Sequence, residues 1–158
     1  MIGTFAAVLM LALAPGDAAA KPAAGGEPIY QIEAADAAMN AAIAEGRRTL
    51  PAFYRRLAAP QPGDGEFMVK FDIDPSDEAE FVWAADLDRS TSPMTGRLIN
   101  QPVNTSDRLG DRVAIAEASI IDWGYRTGGV VQGNFTNRVL LEHMPPEEAA
   151  SYRRFLGW

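Results

Sequence analysis

The sequence contains no cysteine, a single histidine and only two lysines. Without cysteine the chain has no disulfide, no thiolate nucleophile and no thiolate-bound zinc or iron–sulfur cluster. A catalytic triad or a multi-histidine metal site would have to depend on His143 alone. His143 directly precedes Met144-Pro145-Pro146, which predicts a helix cap or a surface position, with a general acid–base role as the alternative. The phosphate-binding, dinucleotide-binding and nucleophile-elbow motifs are absent, which excludes the common nucleotide and hydrolase scaffolds.

Basic residues are also scarce relative to acidic ones. The chain has 14 Lys+Arg against 21 Asp+Glu, a formal net charge of −7. This balance excludes a protein that tracks nucleic acid or an anionic membrane surface, because both functions need clustered positive charge. With 158 residues and 47% hydrophobic residues, the sequence predicts about one domain with a packed core.

The first 20 residues have the pattern of a secretory signal peptide. The unbroken apolar run from Phe5 to Ala14 is ten residues long, whereas a membrane-spanning helix needs about 20. A helix-breaking Pro15-Gly16 and the small residues Ala18-Ala19-Ala20 follow, so we expect cleavage after Ala20. The alternative is a buried N-terminal helix of the mature fold. We therefore expect an exported protein, periplasmic or secreted, without a membrane anchor.

The predicted mature chain begins with a Gly- and Pro-containing tether. Residues 21–33 favour a flexible segment, because ordering such a sequence is entropically costly. Residues 34–158 then form the predicted globular domain.

Helical signals occur at both ends of this domain. Asp36 is a suitable N-cap, and apolar residues from Met39 to Leu50 recur at helical spacing, which predicts a first helix over about 36–48. Pro51 favours the first turn of a second helix. Near the C-terminus, Pro146 and the stop at Gly157 predict a last helix, and 136–143 favours a short helix over a sixth strand.

Between the helices the hydrophobic period changes to two. About five short strands are predicted, at 66–73, 81–85, 94–99, 112–116 and 120–126, and the first two are expected to pair as a hairpin. Brief turns between successive strands indicate a strongly bent antiparallel sheet, for which an SH3-like partial barrel is one candidate form. The fold class is therefore α+β, with an N-terminal helix pair and a C-terminal helix.

Two groups of residues are candidates for binding. The acidic turn at Asp72, Asp74, Asp77 and Glu78 carries enough oxygen ligands to bind calcium. It lacks the glycine and the distal glutamate of an EF-hand, so a solvated turn is favoured and no metal is predicted. The second group combines aromatic rings with polar tips that could line a groove and hold a ligand; its members are Trp83, Asn100, Asp122, Trp123, Tyr125 and Arg138. The alternative is that Trp123 fills the core and Asp122 caps a turn or pairs with an arginine.

The order of these landmarks resembles the YegJ-like bacterial domain of unknown function (DUF2314), over about residues 36–156. The resemblance rests on Met39-Asn-Ala41, Arg48-Thr-Leu50, Phe53, Glu80-Phe-Val-Trp83, Gly96-Arg-Leu-Ile-Asn100-Gln-Pro102, Gly110-Asp111, Asp122-Trp123 and Gly133-Asn-Phe-Thr136. It implies a small α+β domain, often exported, with no catalytic residues to carry over. The sequence departs from the family pattern at Gly124, where a bulky residue is usual, and at Asn134-Phe135, which replaces a usual Gly-Tyr.

These observations favour a protein that binds without catalysis and uses no cofactor. The expected partner is another envelope protein or a cell-wall fragment. The alternative is an envelope hydrolase with a carboxylate pair, formed by Asp122 with Glu80 or Asp86, and with Arg138 as electrophile. A purely structural element of a larger assembly is the third hypothesis.

Overall fold

The computed structural model describes residues 4–8, 29–33, 37–74 and 79–158, and they form an α+β fold. The elements in chain order are β1 (Thr4–Val8), β2 (Ile29–Glu33), α1 (Ala37–Ala58), β3 (Asp64–Asp72), β4 (Glu80–Asp88), β5 (Met94–Leu98), β6 (Arg112–Ile115), a 3₁₀ turn (Glu117–Ser119), β7 (Ile120–Thr127), β8 (Val130–Gly133), α2 (Phe135–Glu142) and α3 (Pro146–Leu156).

Strands β3 to β8 form an antiparallel sheet. The path is β4-β3-β7-β8, and β5 pairs with β4 and with β6. All five predicted strands are present as β3 to β7, and the predicted hairpin of β3 and β4 is confirmed. β8 was not predicted, because the last predicted strand ends before the Gly128-Gly129 turn. The closure of this sheet into an SH3-like partial barrel stays a prediction.

Two further strands precede α1. β1 pairs antiparallel with β2 and parallel with β4, where Ala6 is opposite Glu80. β1 lies within the predicted signal peptide, whose cleavage after Ala20 stays a prediction, and β2 lies within the predicted tether. The predicted cap Asp36 lies outside the described residues.

The predicted N-terminal helix pair is wrong, because α1 runs as one helix with Pro51 inside it. Proline cannot donate a backbone hydrogen bond, so the helix has one bond fewer at this point. Leu50, Phe53 and Tyr54, on both sides of Pro51, are buried in the same core as strands β3 and β4. This shared packing holds the two halves in one helix, since most helical stability in proteins comes from tertiary packing.

The sheet has two covered faces. On β3, Val69 is opposite Trp123 of β7, and both belong to the main core with Phe53 of α1. The next residue, Lys70, is opposite Trp83 of β4 and Asp122 of β7, so these three share the other face. We call the first the α1 face and the second the α3 face, because Trp83 lines a cavity there with residues of α3.

Candidate functional site

The predicted aromatic groove is not formed, because its three rings lie on two faces of the sheet. Trp123 and Tyr125 share the α1 face, as predicted, and their ring centroids are 6.0 Å apart. Trp83 lies on the α3 face, where Lys70 is its neighbour on the adjacent strand. Successive residues of a strand point to opposite faces, and the register of β3 with its two neighbours places Trp83 and Trp123 on opposite sides.

Trp123 and Tyr125 serve the main core. The Trp123 ring stacks on Phe53 at 5.3 Å, and its indole N–H donates to the backbone oxygen of Gly46 at 3.1 Å and to Thr49 Oγ1 at 3.0 Å. Tyr125 stacks on Phe67 at 5.1 Å. These contacts fasten α1 to β7, which is the core role considered as the alternative for Trp123.

Asp122 is the centre of a buried polar cluster on the α3 face. Its Oδ2 accepts hydrogen bonds from the backbone N–H of Thr136 at 2.8 Å and from Thr136 Oγ1 at 2.7 Å. Its Oδ1 accepts from the backbone N–H of Trp123 at 2.8 Å. Burial raises the pKa of Asp122, while the bonds from Thr136 and the charge of Lys70 oppose that rise. The carboxylate therefore anchors the start of α2 to β7.

Lys70 is the positive member of this cluster, and it is buried too. Its Nζ donates to Thr136 Oγ1 at 3.4 Å and lies 5.7 Å from the centre of the Trp83 ring. Burial lowers the pKa of Lys70 to about 8, and the charge of Asp122 opposes this shift. Lys70 and Asp122 have 1% and 0% of their surface exposed, so a substrate in solution does not reach either group.

The carboxylate pair proposed for a hydrolase is not assembled. Because side chains alternate along a strand, Glu80 lies on the same face of β4 as Val82, which is the α1 face. Asp122 lies on the α3 face. Its buried carboxylate accepts from the backbone N–H groups of Val103 at 2.7 Å and Asn104 at 2.8 Å, and so holds the loop after β5. Asp86 is exposed and paired with Arg97 at 3.0 Å.

Asn100 and Arg138 also have structural partners. Asn100 Oδ1 accepts from the backbone N–H of Trp83 at 2.6 Å, at the point of β4 between its pairing with β1 and its pairing with β5. Arg138 lies on the surface with its guanidinium 3.7 Å from the centre of the Trp158 ring. Of the six predicted binding residues, Trp83, Asn100 and Asp122 therefore lie near the buried cluster, and all six have a packing or hydrogen-bonding partner within the fold.

An open groove lies elsewhere, beside Tyr54 of α1 and Arg89 after β4. The guanidinium of Arg89 lies 3.6 Å from the centre of the Tyr54 ring. A cavity of about 540 Å³ adjoins this stack, within the range typical of small-ligand sites. A second depression of about 240 Å³ adjoins it, and Leu57 and Leu87 line it together with Tyr54 and Arg89. We call the two depressions together the Tyr54–Arg89 groove.

The groove combines both signs of charge with an aromatic ring. Burial and the nearby carboxylate of Glu117 together raise the pKa of Tyr54 to about 12, against the opposing charge of Arg89. Arg89 contacts the Tyr54 ring, and it makes no hydrogen bond to another described residue. A guanidinium held flat on a ring presents its N–H groups as a fork that fits a carboxylate. This pair was not predicted, because no local signal in the sequence links residues 35 positions apart.

Other sites considered from the sequence are not assembled. Within the part of the chain that the structure describes, no three His, Asp or Glu side chains are placed to hold a metal ion. Of the acidic turn, Asp77 and Glu78 lie outside the described residues, and Asp72 Oδ1 accepts from the backbone N–H of Glu80.

His143 is exposed and caps the end of α2, as predicted. The described helices include none with the length and apolar character to cross a bilayer.

Comparison with known proteins identifies the family. Residues 36–158 match the family described as "Uncharacterized protein conserved in bacteria (DUF2314)". The chain belongs to this DUF2314 family. It is 32% identical over 88 residues to "Uncharacterized protein YegJ" of Escherichia coli (strain K12), a match that covers 55% of this chain and 58% of that relative. The chain thus matches less than two thirds of that relative's length, and no solved structure matches it significantly. The resemblance to YegJ-like proteins is confirmed.

Proposed function

We propose that this DUF2314 protein is an exported binding domain without catalytic chemistry, and that it holds its ligand in the Tyr54–Arg89 groove. The observation that carries the proposal is the Arg89 guanidinium, which is stacked on a ring, exposed, and without a hydrogen-bond acceptor among the described residues. An arginine fixed in this way has lost part of its side-chain entropy before a ligand arrives, so less is lost on binding.

The chemistry of the groove points to a ligand with a free carboxylate. Arg89 supplies a bidentate donor for that carboxylate, and Thr91 and Ser92 add hydroxyl groups to the lining. Glu117, on the same lining, suits an ammonium or hydroxyl group of the ligand. An aliphatic stem of the ligand would pack against Leu57 and Leu87 in the second depression. Peptides with free carboxylates, including those of cell-wall fragments or of an envelope protein's terminus, have this combination.

The placement of the acids considered for a hydrolase supports binding over hydrolysis. Asp122 and Lys70 are buried and engaged, and Glu80 lies on the other face of β4. A carboxylate mechanism needs both acids in one cleft with the substrate between them. The described residues of the Tyr54–Arg89 groove include one acid, Glu117, and no second acid beside it.

Binding can be tested with a soluble muramidase digest of peptidoglycan, whose stem peptides carry free carboxylates. In ¹⁵N–¹H NMR titrations we expect shifts at residues 89–94 and 115–117. Replacing the guanidinium by Arg89→Ala should weaken binding about tenfold or more, because a hydrogen bond to a charged group contributes about 1.5–3 kcal/mol. Arg55→Ala removes an exposed arginine of α1 outside the groove and is the matched control. Absence of shifts in the groove, or equal effects of the two variants, would refute the proposal.

Export is tested separately by expressing the full chain in a bacterium with a secretory pathway. N-terminal sequencing of the protein recovered from the periplasm should begin at Lys21. Retention of an intact N-terminus in the cytoplasm would contradict export without bearing on the groove.

A further inference from the structure

A narrow cavity lies between the α3 face of the sheet and helix α3, apart from the Tyr54–Arg89 groove. Its volume is about 20 Å³. Met68 and Trp83 form its sheet side, and Phe155 and Leu156 of α3 cover it. The residues Glu66 and Arg126, which also line it, form an ion pair at 3.0 Å.

Three buried polar atoms of this lining have no hydrogen-bond partner among the described residues. They are Nε1 of Trp83, Nδ2 of Asn134 and Oδ1 of Asn137. These side chains belong to residues with 1%, 2% and 3% of their surface exposed. An unpaired polar atom at such burial costs about 1–3 kcal/mol, so three around one cavity indicate a ligand that pairs with them.

One hydrogen bond determines which amide atoms need a partner. Asn137 Nδ2 donates to Asn134 Oδ1 at 2.7 Å, so Asn134 is left with a free donor and Asn137 with a free acceptor. Together with the indole N–H of Trp83, the cavity offers two donors and one acceptor. If both amides were turned over, the same bond would form in the opposite sense, and the balance would still be two donors and one acceptor.

We propose that this cavity is a binding site for one internal water molecule. A water oxygen accepts two hydrogen bonds, here from Trp83 Nε1 and Asn134 Nδ2, and one of its hydrogens is donated to Asn137 Oδ1. The volume is sufficient, since a single water needs at least about 10–15 Å³ of such space. A bare anion would meet the oxygen of Asn137 and a bare cation would meet two N–H donors, so neither fits the set.

The water would connect the sheet to the start of α2. Trp83 belongs to β4, while Asn134 and Asn137 belong to the turn that begins α2, where Thr136 binds Asp122 and Lys70. The bound water therefore extends the buried polar cluster of Lys70 and Asp122 to Trp83. It completes the hydrogen bonding of the α3 face without a change in the fold.

The site can be tested by NMR on the three tryptophan indoles. The indole N–H of Trp83 should show a cross-peak to water with the sign of a long-lived bound molecule, and Trp83→Phe assigns that signal. The indole of Trp158 is the internal control, because it donates to the backbone oxygen of Val131 at 2.9 Å. In Asn137→Leu the Trp83 cross-peak should be lost, while Asn104→Leu, a matched change on the exposed loop, should keep it.

A high-resolution crystal structure of the unmodified protein decides the matter if Asn137→Leu does not fold. We expect one peak of oxygen density within about 2.7–3.2 Å of all three atoms. No density there, or direct bonds among the three side chains, together with no Trp83 cross-peak, would overturn the proposal. Density from a larger molecule would overturn it as well, because the ligand would then not be water.

Discussion

Gly124 leaves open the space that the side-chain amide of Asn134 occupies. A Cβ atom on Gly124 would collide with Nδ2 of Asn134. Because the two residues are in contact, the Asn134 side chain fits its place only while position 124 carries no side chain.

The contact predicts a non-additive pair of substitutions. Gly124→Ala should lower the free energy of unfolding by about 2 kcal/mol, since overpacking a filled site costs about 1–3 kcal/mol. Adding Asn134→Gly should recover most of this loss, because glycine removes the clash and accepts the φ of 54° found at Asn134. Urea denaturation of the two single variants and the double variant measures the coupling.

Gly65→Ala is the control for this cycle, because a Cβ at Gly65 would meet nothing within 4 Å. Its effect should stay within about 0.5 kcal/mol. A double variant no more stable than Gly124→Ala would refute the compensation.

Gly46 predicts an effect opposite to helix propensity. In an exposed helix interior, Gly→Ala is favourable by about 1 kcal/mol. At Gly46 a Cβ would run into the backbone oxygen of Ile121, and α1 would have to move away from β7. We therefore expect Gly46→Ala to destabilise the protein by about 2 kcal/mol or more in urea denaturation.

Ala44→Gly tests the same helix at an exposed position. It should cost about 1 kcal/mol, as propensity alone predicts. A Gly46→Ala variant more stable than the native protein would show that α1 and β7 are not in close contact.

Asp64 predicts a loss of stability in acid. The Arg56 guanidinium holds the pKa of Asp64 well below its usual value of 3.8, and the backbone N–H of Gln61 also donates to it. A depressed folded-state pKa gives stability that is fully present above pH 4 and is lost as pH falls below that value. Asp64→Asn should lower stability at pH 6 and flatten the decline between pH 4 and pH 2, measured by thermal unfolding.

Glu45→Gln is the comparison for Asp64, because Glu45 pairs with Arg48 on an exposed face of α1. Exposed pairs contribute little, so its acid profile should match that of the native protein. Equal profiles for Asp64→Asn and the native protein would contradict the role of Asp64.

Lys70 predicts a gain of stability in mild alkali. Its pKa of about 8 in the fold lies below the ordinary 10.5, because burial disfavours the charged form. Between these values the unfolded chain holds a proton that the folded chain has released, so the free energy of unfolding rises with pH. In Lys70→Met this rise between pH 8 and pH 10 should disappear, although the variant is less stable overall because Asp122 loses a positive neighbour.

Tyr54 sets the upper pH limit of this gain in stability. Its pKa of about 12 exceeds the ordinary 10, so stability falls as pH rises from 10 to 12. Tyr54→Phe should remove this fall and leave the rise between pH 8 and pH 10 unchanged.

If the free energy of unfolding still rises between pH 8 and pH 10 in Lys70→Met, the rise belongs to another group.

The local pattern of residues was sufficient for most elements. Alternation from Phe67 to Ile73 predicted β3, and Pro146 with Gly157 predicted α3, because strand and helix periods depend on nearest neighbours along the chain. Pro51 misled the prediction of a helix pair, since the sequence shows the missing N–H but not the core that holds Leu50 and Phe53 together. β8 was missed because a strand of four residues after Gly128-Gly129 is too short to show an alternation of apolar and polar residues.

By itself the sequence determined the α+β class, the family, the five strands β3 to β7 and the last helix. Only the tertiary structure decided which side chains meet. Trp83 and Trp123 are both aromatic residues in strands, yet the register of β3 with its two neighbours places them on opposite faces. Tyr54 and Arg89 form the groove although they are far apart in the chain. The reason is physical: local propensity depends on adjacent residues, whereas a site depends on strand register and helix packing, which are set by burial over the whole domain.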